Sequence, residues 1–292
     1  MLLSYLNQPI TLINLEDCGI NADQYLTKTG EYYSDFEWDK YLFRQHQIEF
    51  LQRHMPADLQ AQYGDHFWLD FYVGMATADD LGVILKSLTE AQFAEFNAIK
   101  PTRRRAISEF EMTLKSGWCI ERVAAKSFGQ EYAKVAMDES LDFRLAKRTF
   151  DELSEDKVDG DLLKILDYLA TNLREGDPAI KALNVVVHHT QVVCYPGCNA
   201  TNSPEGIHQD GMDYIVSALV VERSNIQGGT SIVYGNDRKT KIFEAELKAG
   251  QGILQPDRRS ELWHAVTPIS CRDDSCTGSR STIGFDFTIR ER

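Results

Sequence analysis

Apolar positions in the first part of the chain recur at helical spacing. A helix is predicted from Asp161 to Arg174, and its apolar face carries Leu162, Ile165, Leu166 and Leu169. Thr89 begins a Thr-x-x-Gln capping box, which predicts a helix that runs to residue 99. Phe36 to Arg53 predicts another long helix, whereas residues 106–145 show no clean period. Residues 1–180 are therefore predicted to form a mainly helical N-terminal region.

The pattern changes to that of β-strands from about residue 181. Short segments rich in Val, Thr and Tyr alternate with turn residues such as Gly228-Gly229. Strands are predicted at 184–195, 214–222, 230–234, 241–247, 252–255, 263–269 and 281–290. Their number and length favour a jelly roll or an immunoglobulin-like sandwich, and the period of the strands does not separate these two folds. Residues 181–292 are thus predicted to be a β core, on which the helical region packs as one compact α+β unit.

Composition and charge narrow the class of partner. The 292 residues include 31 Lys and Arg against 44 Asp and Glu, which gives a formal net charge of −13. Because an acidic surface repels phosphate backbones, the charge argues against nucleic acid as a partner. Hydrophobic residues make up 43% of the chain, which is ordinary for a globular protein with a real core.

The sequence favours a cytoplasmic protein. No apolar run reaches about 18 residues, so no membrane-spanning segment is expected. The first nine residues lack a basic start, so no signal peptide is expected. Six cysteines in 292 residues do not make a disulfide framework, and a reducing compartment is therefore expected. The sequence leaves the oligomeric state open.

One short motif carries metal-binding chemistry. His208 and Asp210 are two residues apart, and alternate residues of an extended strand project to one face. His264 follows 54 residues after Asp210. Two histidines and one carboxylate are the facial triad typical of non-haem Fe(II) oxygenases, in which further coordination positions stay open. The three residues are therefore predicted to bind iron.

The last predicted strand adds a candidate anion site. Arg280 comes 16 residues after His264, and Arg280 and Thr282 share one face of the strand. A guanidinium fork and a hydroxyl group suit the distal carboxylate of a dicarboxylate ligand. The order His-x-Asp, His, Arg-x-Thr therefore matches a jelly roll that binds 2-oxoglutarate.

These motifs also carry a family resemblance. From about Val186 to the C-terminus, the chain resembles the 2-oxoglutarate/Fe(II) dioxygenases related to bacterial L-isoleucine hydroxylase. The likeness lies in Pro204-Glu205-Gly206 before His208-Gln209-Asp210, in Asn225-Ile226-Gln227-Gly228-Gly229, in His264-Ala265-Val266-Thr267-Pro268 and in the strand that begins at Arg280. The resemblance implies a double-stranded β-helix (jelly roll), iron on His208, Asp210 and His264, and 2-oxoglutarate on Arg280. The first 100 residues show no such likeness.

Two further positions are candidates for substrate contacts. Arg103-Arg104-Arg105 resembles a short Arg-x-Arg element of the same family, and Arg105 is the candidate for binding a substrate carboxylate. The alternative interpretation of this run is a solvated helix face. Gln191, on the first strand of the core, either faces the substrate or is an ordinary polar strand residue. The adjacent His188 and His189 point to opposite faces, so they cannot serve one metal and are interpreted as structural.

The cysteines include two spaced pairs, Cys194 with Cys198 and Cys271 with Cys276. Their spacing is looser than that of the Cys-x-x-Cys knuckle of zinc sites. Free thiols are therefore expected at all four positions, and a disulfide is not expected in a reducing compartment.

The favoured interpretation is a dioxygenase that uses Fe(II), 2-oxoglutarate and O2 to hydroxylate an unactivated C–H bond. Its expected substrate is a small free L-amino acid with an aliphatic side chain. Three alternatives stay open: hydroxylation of a peptide or protein side chain, which needs an open groove; hydroxylation of another small metabolite; and a non-enzymatic metal-binding jelly-roll module. In the last case Arg280 would have no carboxylate to bind.

Overall fold

The computed structural model describes residues 10–76, 79–130, 132–135 and 142–292. Its helices are α1 Ala22–Gly30, α2 Lys40–His54, α3 Ala57–Gln60, α4 Asp65–Val73, α5 Gly82–Ser87, α6 Glu90–Ala98 and α7 Gly160–Gly176. Its strands are β1 Thr11–Asn14, β2 Arg103–Leu114, β3 Trp118–Val123, β4 Lys134–Val135, β5 Ala182–Cys194, β6 His208–Gln209, β7 Tyr214–Ser224, β8 Ile226–Gly228, β9 Ser231–Tyr234, β10 Lys241–Ala245, β11 Gln251–Pro256, β12 Trp263–Val266, β13 Ile269–Cys271 and β14 Gly278–Glu291. The prediction about a signal peptide concerns residues 1–9, which lie outside the described residues.

The larger sheet contains strands from both parts of the chain. Within the described residues its order is β1-β11-β7-β14-β5-β2-β3, and neighbouring strands are antiparallel. β2 and β3 come from the segment in which the sequence shows no clean period and leaves the secondary structure open. The alternation of β2 is masked because both of its faces carry buried residues, including Ala106 on one face and Ile107 on the other. Because β2 pairs with β5, this sheet crosses the predicted boundary at residue 180.

The smaller sheet holds strands β10-β9-β12-β6-β4, and β13 pairs with β8 in a two-stranded ribbon. Side chains of the larger and the smaller sheet meet in one core, where Val220 of β7 and Ile253 of β11 pack with Val233 of β9. The structure therefore confirms a mixed fold of helices and large antiparallel sheets. In the described part of the chain no ladder joins the two sheets, so the double-stranded β-helix stays a prediction.

Helix α7 covers the outer face of the larger sheet. The carboxylate of Asp159 accepts hydrogen bonds from the backbone N–H groups of Asp161 and Leu162 and begins the helix; such a cap contributes about 1 kcal/mol. The apolar face predicted for this helix is buried against residues of the sheet such as Phe285 and Phe287. The outer face of β5 and β14 is thereby closed to solvent, which leaves the inner face for a site.

A second group of helices packs over one end of the sheets. α6 begins with the predicted capping box, in which Thr89 and Gln92 exchange side-chain and backbone hydrogen bonds. α2, α4, α5 and α6 form a core that reaches Phe128 and Phe150 beside the inner face of the larger sheet. Within the described residues, no helix is both long and apolar enough to span a bilayer.

Candidate active site

The predicted iron ligands come together on the smaller sheet. His208 of β6 and His264 of β12 are direct partners in an antiparallel pair, and their ring centres are 4.2 Å apart. Asp210 follows β6, and one of its carboxylate oxygens lies 3.1 Å from Nε2 of His264 while the other lies 3.6 Å from Nε2 of His208. One candidate ligand atom from each residue lies within 4.8 Å of the other two. A set of two imidazoles and one carboxylate at this separation fits a single iron ion.

The residues around the triad fix its orientation. Nδ1 of His208 donates to the carbonyl oxygen of Gly206 at 2.8 Å, which leaves Nε2 as the free lone pair. On the opposite face of β6, the Gln209 amide donates to the carbonyl oxygens of Asp257, Ser260 and Leu262. These bonds hold the loop before β12 against β6 and so set the register of the two histidines.

The loop that carries Asp210 is held by a second buried carboxylate. Asp257 accepts hydrogen bonds from the backbone N–H groups of Asp210, Gly211 and Met212 at 3.2, 2.6 and 3.0 Å. Burial raises the pKa of the Asp210 carboxyl, but interactions with the neighbouring His208, His264 and Arg144 outweigh this effect and hold the pKa well below its usual range. Asp210 is therefore an anion at neutral pH, as a metal ligand must be.

Arg280 is a buried cation with hydrogen-bond donors that have no partner among the described residues. It is 3% exposed, and its Nε and Nη2 atoms have no hydrogen-bond partner among the described residues. Burial and the nearby Arg223 lower its pKa to about 10, so it stays charged at neutral pH. Gly229 has a φ of 67°, and a Cβ there would lie 2.9 Å from Cδ of Arg280. The glycine therefore leaves the room that the arginine side chain occupies.

The inner faces of both sheets line one cavity. The lining includes all three triad residues and Thr282, which lies two positions from Arg280 on the same face of β14. Arg280 itself is buried and is not among the lining residues. The hydroxyl of Thr282 donates to the carbonyl oxygen of Thr190 at 3.4 Å. Helices α2 and α4 contribute Gln45 and Tyr72, so the cavity is bounded by helices as well as by strands.

The arginine run of β2 is part of this cavity. Residues 103–105 form the start of a strand, so the alternative interpretation of this run as a solvated helix face is wrong. Arg103 and Arg105 line the cavity. Arg104 points to the other face, where it stacks on Trp38 at 4.1 Å. Arg103 is neutralised by the buried Asp39 at 2.8 Å, whereas Nε of Arg105 is buried without a partner among the described residues.

Sequence reasoning missed His188, which lies in the cavity wall. Its Nδ1 accepts a hydrogen bond from Nη2 of Arg105 at 2.8 Å, because an arginine can only donate. Its Nε2 therefore carries the proton and donates to Oδ2 of Asp286 at 3.0 Å. Burial, together with the charge of Arg105, holds the pKa of His188 well below its usual range, so the ring is neutral. The alternation of β5 predicts only that His188 and His189 face opposite sides of the sheet. The structure has this arrangement, because His188 lines the cavity whereas His189 lies near Tyr33 and Phe36.

Gln191 lies outside the cavity lining. It occupies the face of β5 that also carries His189, and its amide donates to the hydroxyl of Ser281 at 3.2 Å. The neighbouring Thr190 lines the cavity in its place. The position of Gln191 therefore supports the interpretation of an ordinary polar strand residue, because successive side chains of a strand point to opposite faces.

The described cysteines are free thiols, as expected. Sγ of Cys194 and Sγ of Cys271 lie 3.5 Å apart in a buried cluster, whereas Cys198 and Cys276 are exposed. Burial and the neighbouring Cys271 raise the pKa of Cys194 to about 11, so this thiol is protonated at neutral pH. Across the described ranges, the triad is the only group of three or more His, Cys, Asp or Glu residues whose ligand atoms lie close enough together to hold a metal ion.

Comparison with known proteins gives one family and a set of similar folds. The model of the 2OG-Fe dioxygenase family matches residues 85–286. A bsmA homologue from Methylobium petroleophilum PM1 superposes with a TM-score of 0.65 and 15% identity, covering 97% of this chain and 90% of that one. IDO from Bacillus thuringiensis superposes with a TM-score of 0.60 and 13% identity, covering 97% and 95%. No match is found among curated proteins. At these identities the two structures show a shared fold alone.

Proposed function

Because the chain belongs to the 2OG-Fe dioxygenase family, whose members use Fe(II), 2-oxoglutarate and O2, we propose that it hydroxylates an unactivated C–H bond of a small free L-amino acid. When bound, iron and 2-oxoglutarate supply the oxidising chemistry: one oxygen atom of O2 enters the substrate, and the other enters the succinate that forms with loss of CO2. The protein binds and orients the reactants and excludes water from them.

The observation that carries the proposal is the combination of the triad with Arg280. In the proposal His208, Asp210 and His264 hold iron, and Arg280 binds the distal carboxylate of 2-oxoglutarate together with Thr282. A charged guanidinium that is buried with two donor nitrogens unpaired is costly unless an anion completes it. A non-enzymatic metal module gives no reason for such a group.

The free amino acid is favoured over a peptide by the shape and charge of the cavity. Gln45 of α2 and Tyr72 of α4 help to enclose it, whereas a peptide chain needs an open groove. Arg105 is the proposed partner of the substrate carboxylate. Glu205 lines the same cavity and is the carboxylate proposed for the ammonium group, because Asp210 belongs to the triad and Asp286 accepts from His188. One oxygen of Glu205 lies 3.3 Å from Nε2 of His208 and 3.7 Å from Nη1 of Arg144.

The proposal extends to the fold. The larger sheet carries the residues proposed for 2-oxoglutarate and the smaller sheet those proposed for iron, and Thr282 and the triad line one cavity. This is the arrangement expected if the two sheets are the halves of a double-stranded β-helix, with the site between them. Iron, 2-oxoglutarate and substrate would then meet inside the barrel.

The test is turnover with a panel of the free L-amino acids. Protein loaded with Fe(II) is incubated with 2-oxoglutarate and O2, succinate is quantified, and products are screened by mass spectrometry for a gain of one oxygen atom. We expect one aliphatic amino acid to gain oxygen in step with succinate release, and the Asp210→Ala protein to do neither. Turnover of a peptide or an unrelated metabolite alone would show that the substrate class is wrong. Absence of succinate under every condition would favour the metal-binding module.

A further inference from the structure

Arg148 is a second arginine in the cavity that no motif in the sequence singles out. It is 3% exposed, follows the short helical turn at Phe143–Leu145, and lines the same cavity as the triad. Its Nη2 donates to Oε1 of Gln130 at 2.8 Å, and Nε2 of Gln130 donates to Asp210 at 2.6 Å. Arg148 is therefore held in place by a side chain that also contacts the triad.

The guanidinium groups of Arg105 and Arg148 share the same two aromatic neighbours. The central carbon of Arg105 lies 5.6 Å from the ring centre of Phe128 and 4.4 Å from that of Phe150. The corresponding distances for Arg148 are 5.3 and 5.8 Å. Two cations packed against the same rings repel each other, and the aromatic faces offset only part of this repulsion.

The other two arginines of the cavity already have carboxylate partners. Arg103 pairs with Asp39 at 2.8 Å, and Arg144 pairs with Asp142 at 3.0 Å. Within the described ranges, neither Arg105 nor Arg148 forms an ion pair, and the buried Nε atom of each has no hydrogen-bond partner. Two adjacent buried cations with free donors have the character of an anion site, since guanidinium groups bind carboxylates through such N–H donors.

We propose that Arg148 and Arg105 together form a second carboxylate-binding site in the cavity, separate from Arg280, and that this site binds the carboxylate of the substrate. The identity of the substrate as an amino acid rests on the proposed function; the existence of the site does not. Arg280 is not assigned this role because it is outside the cavity lining and is the residue proposed for 2-oxoglutarate. One carboxylate between the two guanidinium groups relieves their repulsion and satisfies the free Nε donors.

The test measures binding of isovalerate and of its amide to the protein loaded with Fe(II) and saturating 2-oxoglutarate, without oxygen, by calorimetry. The two probes differ only in the charge of one group, and 2-oxoglutarate occupies the first anion site. We expect wild-type protein to bind isovalerate at least tenfold more tightly than the amide. We expect Arg148→Met to weaken isovalerate binding about tenfold and to leave amide binding unchanged. Lys147→Met removes a charge from the exposed neighbouring position and should change neither affinity.

Arg148→Lys guards against loss of folding in the methionine variant. It keeps the charge but not the guanidinium fork, so we expect a smaller loss of isovalerate affinity with unchanged affinity for 2-oxoglutarate. Equal binding of isovalerate to wild type and to both variants would overturn the proposal. Equal binding of isovalerate and its amide to wild type, or no binding of either, would also overturn it. If isovalerate depends on Arg148 while no amino acid is turned over, the anion site stands and the substrate class fails.

Discussion

Nη2 of Arg105 lies 2.8 Å from Nδ1 of His188, on the neighbouring strand of the same sheet. Since arginine has no acceptor, the imidazole must accept here and donate from its other nitrogen to Asp286. The three residues form a chain of hydrogen bonds that restricts the rotamers of Arg105. In the proposed function Asp286 and His188 are positioning residues for Arg105, which is proposed to bind the substrate carboxylate.

The chain predicts a difference between two substitutions of Asp286. Asp286→Asn keeps an oxygen that can accept from His188, so we expect the Michaelis constant for the substrate to change less than threefold. Asp286→Val removes the acceptor and frees the ring, so we expect that constant to rise about tenfold with little change in the constant for 2-oxoglutarate. Steady-state kinetics on both variants provide the measurement. Equal constants for the two variants would show that the hydrogen bond does not position Arg105.

Arg104 and Arg105 are adjacent but should behave differently when substituted. Arg105→Met is expected to lower substrate affinity about tenfold or more, because the carboxylate loses a charge-assisted partner. Arg104 donates to the carbonyl oxygens of Ser34 and Phe36 on the outer face, so Arg104→Met should lower the melting temperature and leave substrate affinity intact. Calorimetric binding and thermal denaturation of both variants separate the two effects. If Arg104→Met lowered substrate affinity and Arg105→Met did not, the assignment of Arg105 to the substrate carboxylate would be wrong.

Loss of any triad ligand should abolish metal binding without unfolding the protein. We expect His208→Ala, Asp210→Ala and His264→Ala to retain less than a tenth of the wild-type iron content and no measurable succinate release. Iron content is measured by atomic absorption after removal of free metal, and folding by circular dichroism. His66→Ala, at an exposed position of α4, is the matched control and should bind iron normally. A folded triad variant with full iron content would remove that residue from the metal site.

Arg280 is expected to stabilise the complex with 2-oxoglutarate and to destabilise the protein without 2-oxoglutarate. Replacement by Met removes a buried cation whose Nε and Nη2 have no hydrogen-bond partner in the described part of the chain, so we expect the melting temperature without 2-oxoglutarate to stay equal or to rise. Saturating 2-oxoglutarate, at about 100 times its dissociation constant, should stabilise wild-type protein by about 2.7 kcal/mol and the variant far less. Thermal denaturation with and without 2-oxoglutarate provides the measurement, and Arg272→Met at an exposed position is the control. A variant that 2-oxoglutarate stabilises as much as wild type contradicts the role of Arg280.

His189 should make the protein less stable as the pH falls. Burial against Tyr33 and Phe36, with further contributions from His188 and Lys157, lowers its pKa to about 3, whereas the unfolded chain titrates near the ordinary value of about 6.5. Between these values the unfolded state binds a proton that the folded state does not, so the free energy of unfolding falls as the pH falls. At pH 5 this amounts to about 2 kcal/mol relative to pH 7.

The measurement is urea denaturation of wild-type protein and of His189→Leu at both values of pH. The wild-type protein is expected to lose about 2 kcal/mol more than the variant between pH 7 and pH 5. The other titrating groups change the free energy of unfolding equally in both proteins, so their contribution cancels when the two losses are subtracted. An equal loss in the two proteins would show that His189 does not titrate in this way.

The sequence predicted the candidate metal residues better than it predicted the cavity around them. The spacing of His208 and Asp210 is a local feature, because alternate strand residues share a face in any extended segment. Likewise, the caps of α6 and α7 depend only on residues within one turn of the helix. Such features need no knowledge of which strands become neighbours.

The parts that could not be predicted depend on long-range pairing. β2 has no clean period because helices cover one of its faces and the cavity the other, so both faces carry buried side chains. The roles of His188 and Asp286 arise because β2, β5 and β14 lie side by side, in a register that pairs Arg105 with Thr190 and His188 with Gly284. Arg148 lies outside any strand, and nothing in its neighbourhood indicates that it enters the cavity.

The pairing of His208 with His264 also bears on when iron can bind. During synthesis, at roughly 5–20 residues per second, His264 is added about 3–11 s after Asp210. Closing so long a loop has an entropic cost that only the surrounding sheets can offset, so the first two ligands have no partner in the nascent chain. The iron site is therefore a product of completed folding rather than a nucleus for it. We therefore expect the protein to fold without iron and to acquire the ion afterwards, through the cavity that the triad lines.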